Sequence, residues 1–147
     1  MSTNDCTIGV DLGGTKIEVA LVSHEGKVLQ SVRCKTDVAG GFPAVVQEIA
    51  HRVNEIKQSH QANILSVGIG IAGQIDPLSG TVIFAPNLGW RNVPLQQQLT
   101  EFLNLPVIVA NDVRAAALGE WIFGAGKGCS DLVCVFVGTG IGGGLVC

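Results

Sequence analysis

Apolar and polar residues change their spacing several times along the chain, and each change marks an element. Thr7 to Leu12 reads as a strand that runs into a glycine turn. Lys16 to Val22 alternates, with Ile17, Val19 and Leu21 on one side, and predicts a second strand. Ser23-His24-Glu25-Gly26 is a turn signal, and Lys27 to Thr36 continues as a third strand. The chain therefore opens as a β-meander. Val38 to Pro43 breaks the pattern. From Pro43 to about Ser59 the period is helical, with Val45, Ile49, Val53 and Ile56 on one face. Ile64 to Ala72 is apolar and β-branched, as a buried strand should be. Gly73 to Trp90 is rich in Gly, Pro, Asn and Asp, which predicts a long connection with room for a short hairpin. Pro94 to Leu103 predicts a short helix with Pro in its first turn. Pro106 to Ala110 predicts a buried strand, and Asn111 to Phe123 an alanine-rich helix. Gly124 to Ser130 reads as a loop, Leu132 to Val137 as a strand, and Gly138 to Gly144 as a glycine run before the apolar end Leu145 to Cys147.

The order βββαβαβα, followed by a β–glycine–β unit, predicts an α/β fold with a mixed sheet flanked by helices. A purely parallel sheet would not begin with two hairpins. The glycine-turn hairpin occurs near residues 8 to 21 and again near 133 to 147. Residues 1–128 are therefore expected to form a first lobe, and residues 129–147 the first hairpin of a second.

Composition narrows the class. The 147 residues are 47% hydrophobic and 14% charged, which excludes a disordered or solvating chain. A net charge of -3 gives no electrostatic reason to expect nucleic acid or an anionic membrane as a partner. Apolar runs fall far short of the ~18 residues of a membrane span. No basic segment precedes an apolar one at the start, so no signal peptide is expected. The five cysteines form no C-x-x-C pair, and their number is odd. Reduced thiols in a cytoplasmic protein are expected, each cysteine serving as a small buried hydrophobe. His24, His51 and His60 show no metal-ligand spacing and read as surface residues.

Four segments carry candidate chemistry. In Asp11-Leu12-Gly13-Gly14-Thr15-Lys16 the paired glycines let backbone N–H groups approach an anion with no Cβ in the way. Thr15 adds a hydroxyl and Lys16 a cation. Asp11 would repel a bare phosphate, and makes sense with a Mg²⁺ ion, reached through water, between carboxylate and phosphates. A plain glycine hairpin is the alternative. Gly138-Thr139-Gly140-Ile141-Gly142-Gly143-Gly144 formally contains G-x-G-x-x-G, yet no helix follows it and no Gly-Lys-Ser/Thr is present. It reads as a hairpin with a backbone anion nest, or as a flexible glycine turn. Asn111-Asp112 follows a strand at the mouth of a helix, where ligands bind in open α/β sheets. Asp112 there can take a proton from a substrate hydroxyl. Equally, Asn and Asp are favoured helix caps, although Arg114 and Ala115 supply no capping box. Gly73 with Asn87-Leu88-Gly89-Trp90 can bind hydroxyls and wall a pocket, or can be a turn with a tryptophan over the core edge.

Taken together, these residues resemble the ROK family of sugar kinases (repressors, open reading frames and kinases), of which glucokinase-like enzymes are the commonest bearers of the pattern. The resemblance covers nearly the whole chain. Asp11-x-Gly13-Gly14-Thr15-Lys16 and Gly138-Thr139-Gly140-x-Gly142-Gly143-Gly144 match the family's two phosphate motifs. Asn111-Asp112 with Ala115-Ala116-Ala117-Leu118-Gly119-Glu120 matches its catalytic segment, and Pro86-Asn87-Leu88 with Trp90 its sugar-side loop. The resemblance implies a ribonuclease H-like lobe of the actin-like ATPase superfamily. It implies ATP and Mg²⁺ as cofactors, a hexose phosphorylated on its primary hydroxyl, and a homodimer. Asp112 becomes the general base, Gly73, Asn87, Asn111 and Asp112 the sugar contacts, and the two glycine turns the grip on ATP from opposite lobes. Arg114 stands where the family often has Asn. The Glu-x-Gly-His sugar motif, the cysteine-rich zinc site and most of the adenine pocket of the family are expected beyond Cys147. The family's repressors carry a helix-turn-helix before the first strand. Only Met1 to Cys6 precede it here, so DNA binding is not expected.

Overall fold

A computed structural model describes residues 5–137 and 141–147. Three antiparallel strands come first: β1 (Asp5–Leu12), β2 (Lys16–Ser23) and β3 (Val28–Lys35). Helix α1 (Gly41–Ser59) leads to β4 (Asn63–Ile71), which pairs with β1 in parallel. The Gly/Pro/Asn-rich stretch then forms a small antiparallel sheet of its own, with β5 (Gln74–Ile75), β6 (Val82–Ala85) and β7 (Trp90–Val93) around a 3-10 turn at Pro86–Leu88. Helix α2 (Leu95–Leu103), strand β8 (Val107–Asn111) and helix α3 (Asp112–Ile122) follow, then the separate hairpin β9 (Leu132–Val137) and β10 (Ile141–Val146).

The main sheet has the order β3-β2-β1-β4-β8, and β1, β4 and β8 run parallel. The expected α/β mixed sheet is therefore the fold. Its core lies on one face. Ile8, Val10 and Leu12 of β1 alternate with outward residues. Ile17, Val19 and Leu21 of β2 and Val67, Ile69 and Ile71 of β4 do the same. Against them pack Val45, Ile49, Val53 and Ile56 of α1 and Leu95, Leu99 and Leu103 of α2. This is the helical stripe the 3.6-residue period predicts.

The opposite face is built differently. It carries Gly9, Ala20, Gly68 and Gly70, and with α3 and Phe136 it bounds an open groove of about 870 Å³. Of α3 only Ala117 is buried, so this helix rests on the sheet through small residues.

Some expectations need correcting. The connection from Gly73 to Trp90 is a three-stranded sheet rather than a loop with a hairpin, because Val82, Ala85, Leu88 and Trp90 all bury their side chains. Pro94 lies at the N-cap of α2, one place before the first turn. Asn111 ends β8 and caps α3 rather than opening the helix. Cys6 alone is fully buried; Cys34 and Cys134 are half-buried, and Cys129 and Cys147 are exposed, all five as free thiols. His24 and His51 are exposed, as expected, whereas His60 is half-buried.

Candidate active site

Parallel strands deliver their C-terminal ends to one edge of the sheet, and here three candidate segments emerge together. β1 ends at Leu12 and turns through Gly13 and Gly14. β4 ends at Ile71, two residues before Gly73. β8 ends at Asn111, and Asp112 opens α3.

Across this edge the strand register aligns Arg33, Glu18, Asp11, Gly70 and Ala110 in one row. Gly70 faces the start of α3: a Cβ there would stand 3.5 Å from Asp112 Cα, in ordinary contact. Asp11 and Asp112 thus flank a single glycine. Partial burial pushes the Asp11 carboxyl above its usual range. Lys16 pulls it back, the negative charges of Asp112 and Glu18 push it further up, and Arg33 pulls it down. Arg33 is itself clamped to Glu18, with Nη2 and Nε donating to Glu18 Oε2 at 2.6 and 3.1 Å. Glu18 and Arg33 were missed from the sequence. Their signal is the hairpin itself, whose turn at Ser23 to Gly26 sets opposite charges across from one another.

The turn after β1 is braced. The Gly13 N–H donates to the Lys16 carbonyl at 3.0 Å, and Thr36 holds the turn from beyond β3. Thr36 Oγ1 donates to the Gly13 carbonyl at 2.7 Å, and the Thr36 N–H to the Thr15 carbonyl at 3.1 Å. Thr15 and Lys16 are exposed, so hydroxyl and ammonium face solvent where an anion would come.

Asn111 does two local tasks. Its Oδ1 accepts from the Arg114 N–H at 3.2 Å, capping α3, and its Nδ2 donates to the Gly73 carbonyl at 3.2 Å. The capping alternative therefore holds for Asn111. Asp112 Oδ1 accepts from the Val113 N–H at 2.9 Å, and the half-buried Asp112 lines the groove. Gly73 sits tightly on the small sheet, where a Cβ would meet the Phe84 carbonyl and Ala85. Asn87, exposed in the 3-10 turn, lies against Gly14. Two contacts therefore make up this edge, Gly14 with Asn87 and Gly73 with Asn111, the residue before Asp112. Trp90 lies outside it: it is buried, with its ring edge-on to Phe42 at 5.1 Å, and covers the core.

The second glycine run is partly visible. Gly138, Thr139 and Gly140 lie outside the described residues. Gly142 and Gly143 belong to β10. Glycines at 142 and 144 have a packing reason that sequence reasoning missed, since side chains there would strike Val113 and Ala117 of α3. Gly143 is open on its own side of the strand, with nothing nearer than the Cys134 carbonyl at 3.7 Å.

The carboxylates of Asp11 and Asp112 are hard oxygen donors of the kind Mg²⁺ accepts alongside water. No group of three metal-ligating side chains occurs among the described residues. No helix among the described residues is long and apolar enough to cross a membrane.

The model of the ROK family matches residues 7–147. A glucokinase of Streptomyces coelicolor is 44% identical over 140 residues, covering 95% of this chain and 43% of its own. A xylose repressor of Caldicellulosiruptor bescii is 36% identical, covering 95% of this chain and 36% of its own. Among solved structures, a ROK family glucokinase from Streptomyces griseus, in complex with glucose and AMPPNP, superposes with a TM-score of 0.86 at 42% identity, covering 96% of this chain and 44% of its own. The chain thus spans less than half the length of these relatives. The family model spans residues 7–147 and the fold is that of a solved member, so the chain belongs to the ROK family.

Proposed function

We propose that this chain supplies the N-terminal lobe of an ATP-dependent hexose kinase, which phosphorylates a glucose-like sugar on its primary hydroxyl. The observation that carries the reading is the meeting of three segments at one sheet edge. A glycine turn with exposed Thr15 and Lys16 lies against the exposed Asn87, and Asp112 stands beside Asp11 across Gly70. The glucokinase relatives, one of them solved with glucose and AMPPNP, support it.

In this reading Asp112 accepts the proton of the attacking hydroxyl, help worth about 10²–10⁴-fold. Gly73, Asn87 and Asn111 hold the sugar, the last through whatever capacity its capping bonds leave. Gly13, Gly14, Thr15 and Lys16 bind ATP phosphates through backbone N–H groups, hydroxyl and ammonium. Gly138, Thr139, Gly140, Gly142 and Gly143 do so from the second lobe, which begins near residue 129. Asp11 would hold Mg²⁺ through water. Bound Mg²⁺ neutralises charge on the transferring phosphoryl group. A cytoplasmic homodimer belongs to the same proposal.

A second reading is a non-catalytic sugar-binding regulator, favoured by the xylose repressor among the relatives. A coupled ADP-release screen on the full-length protein separates them. Glucose, mannose, fructose, N-acetylmannosamine and N-acetylglucosamine are offered in turn. The kinase reading expects sugar-dependent ADP release, greatest with glucose. Binding of a sugar with no ADP release above background would favour the regulator.

A further inference from the structure

Gly14 belongs to the turn read as nucleotide-binding, yet its closest neighbour is the sugar-side loop. A side chain at Gly14 would place its Cβ 2.8 Å from the Asn87 carbonyl oxygen and 2.9 Å from the Asn87 Cβ. Backbone conformation does not require glycine here. Among the described residues the glycines in the left-handed region are Gly26, Gly41, Gly80, Gly89 and Gly128, and Gly14 is not one of them. Space is what requires it.

Neither partner can readily yield. The turn is pinned from β3 by the two Thr36 bonds and closed by the Gly13 N–H. Behind Asn87, Leu88 is buried, and the Gly89 N–H closes the 3-10 turn on the Pro86 carbonyl at 3.2 Å. Next along the chain, Trp90 is locked edge-on against Phe42. Two braced segments therefore meet with no room for a methyl group between them, and close-packed contacts of this kind transmit strain.

We infer that Gly14 is a positioning residue for the sugar-side loop. Its bare Cα seats Asn87, so a hexose on the loop and phosphates on the turn are held by one steric unit. The inference rests on the proposed function for its ligands, while the contact stands independently of it. A methyl at position 14 displaces Asn87 and weakens sugar binding with no nucleotide present, an effect that a purely phosphate-binding glycine would not have.

The test is Gly14→Ala in the full-length protein, titrated calorimetrically with glucose alone and compared by backbone amide NMR. Expected are a glucose Kd about tenfold or more weaker, since small misplacements of binding groups are costly, and shifted amides at Asn87 to Trp90 with those of α1 unmoved. A wild-type glucose Kd, or unmoved amides at Asn87 to Trp90, would overturn the inference. Should Gly14→Ala not fold, Thr36→Val releases the Gly13 carbonyl without adding bulk. The same amides should then move, and unmoved amides would again overturn it. A wild-type protein that binds no glucose counts against the proposed function, and the amide shifts alone then decide the contact.

Discussion

Asp11 shows how a charged residue can weigh against the fold. Its carboxyl is pushed up by partial burial and by Asp112 and Glu18. The folded state therefore favours the protonated form. That stabilising contribution is complete below the ordinary value near 3.8 and is lost as pH rises through the raised folded value. Asp11→Asn removes the charge without changing the shape. Its melting temperature should exceed that of the wild type at pH 7, and the difference should close in acid as the wild-type carboxyl protonates. A gap that persists unchanged at pH 3 would contradict the electrostatic account. Asp11 and Asp112 were legible in the sequence as candidates, beside a glycine turn and a strand end, with a plain hairpin and a helix cap as the alternatives. The packing glycines were not. Gly14, Gly73, Gly142 and Gly144 are glycine because another segment approaches them, and that approach exists only in the folded chain. Asn111 read equally well as cap or ligand; its bond from the Arg114 N–H makes it the cap of α3, and a separate bond ties it to Gly73.

At the scale of elements, period and turn chemistry located every strand and helix of the main sheet to within a few residues. Strong alternation in β2 and a clean stripe on α1 left little room for another assignment. Ile49 illustrates the strength of that pattern: it is fully buried between α1 and the sheet. Ile49→Ala should lower unfolding stability by about 2–5 kcal/mol, through lost transfer energy and the cavity left behind. Urea denaturation measures this as a lower midpoint at unchanged slope. A loss well under 1 kcal/mol would mean that α1 does not close the core. The small sheet of β5, β6 and β7 was the element least legible. Its strands have two to four residues, too few to show a period, and its hydrophobic anchors lie among Gly, Pro and Asn.

The whole molecule has one finished face and one open face. Under α1 and α2 the core is closed. On the other side the groove over Gly9, Gly68 and Gly70 leaves Ile108, Leu118 and Ile122 exposed, and the β9–β10 hairpin exposes Val133, Val135, Ile141 and Leu145. Family membership was legible because four motifs occur in the right order, which local propensity could not have arranged. What the edge of the sheet does with them turns on Asp112. The most direct measurement is therefore Asp112→Ala in the full-length protein, followed by glucose-dependent ADP release and by calorimetric glucose binding. Release falling by about 10²-fold or more, with glucose binding retained in part, is the result predicted for a general base. Turnover near that of the wild type would contradict the account.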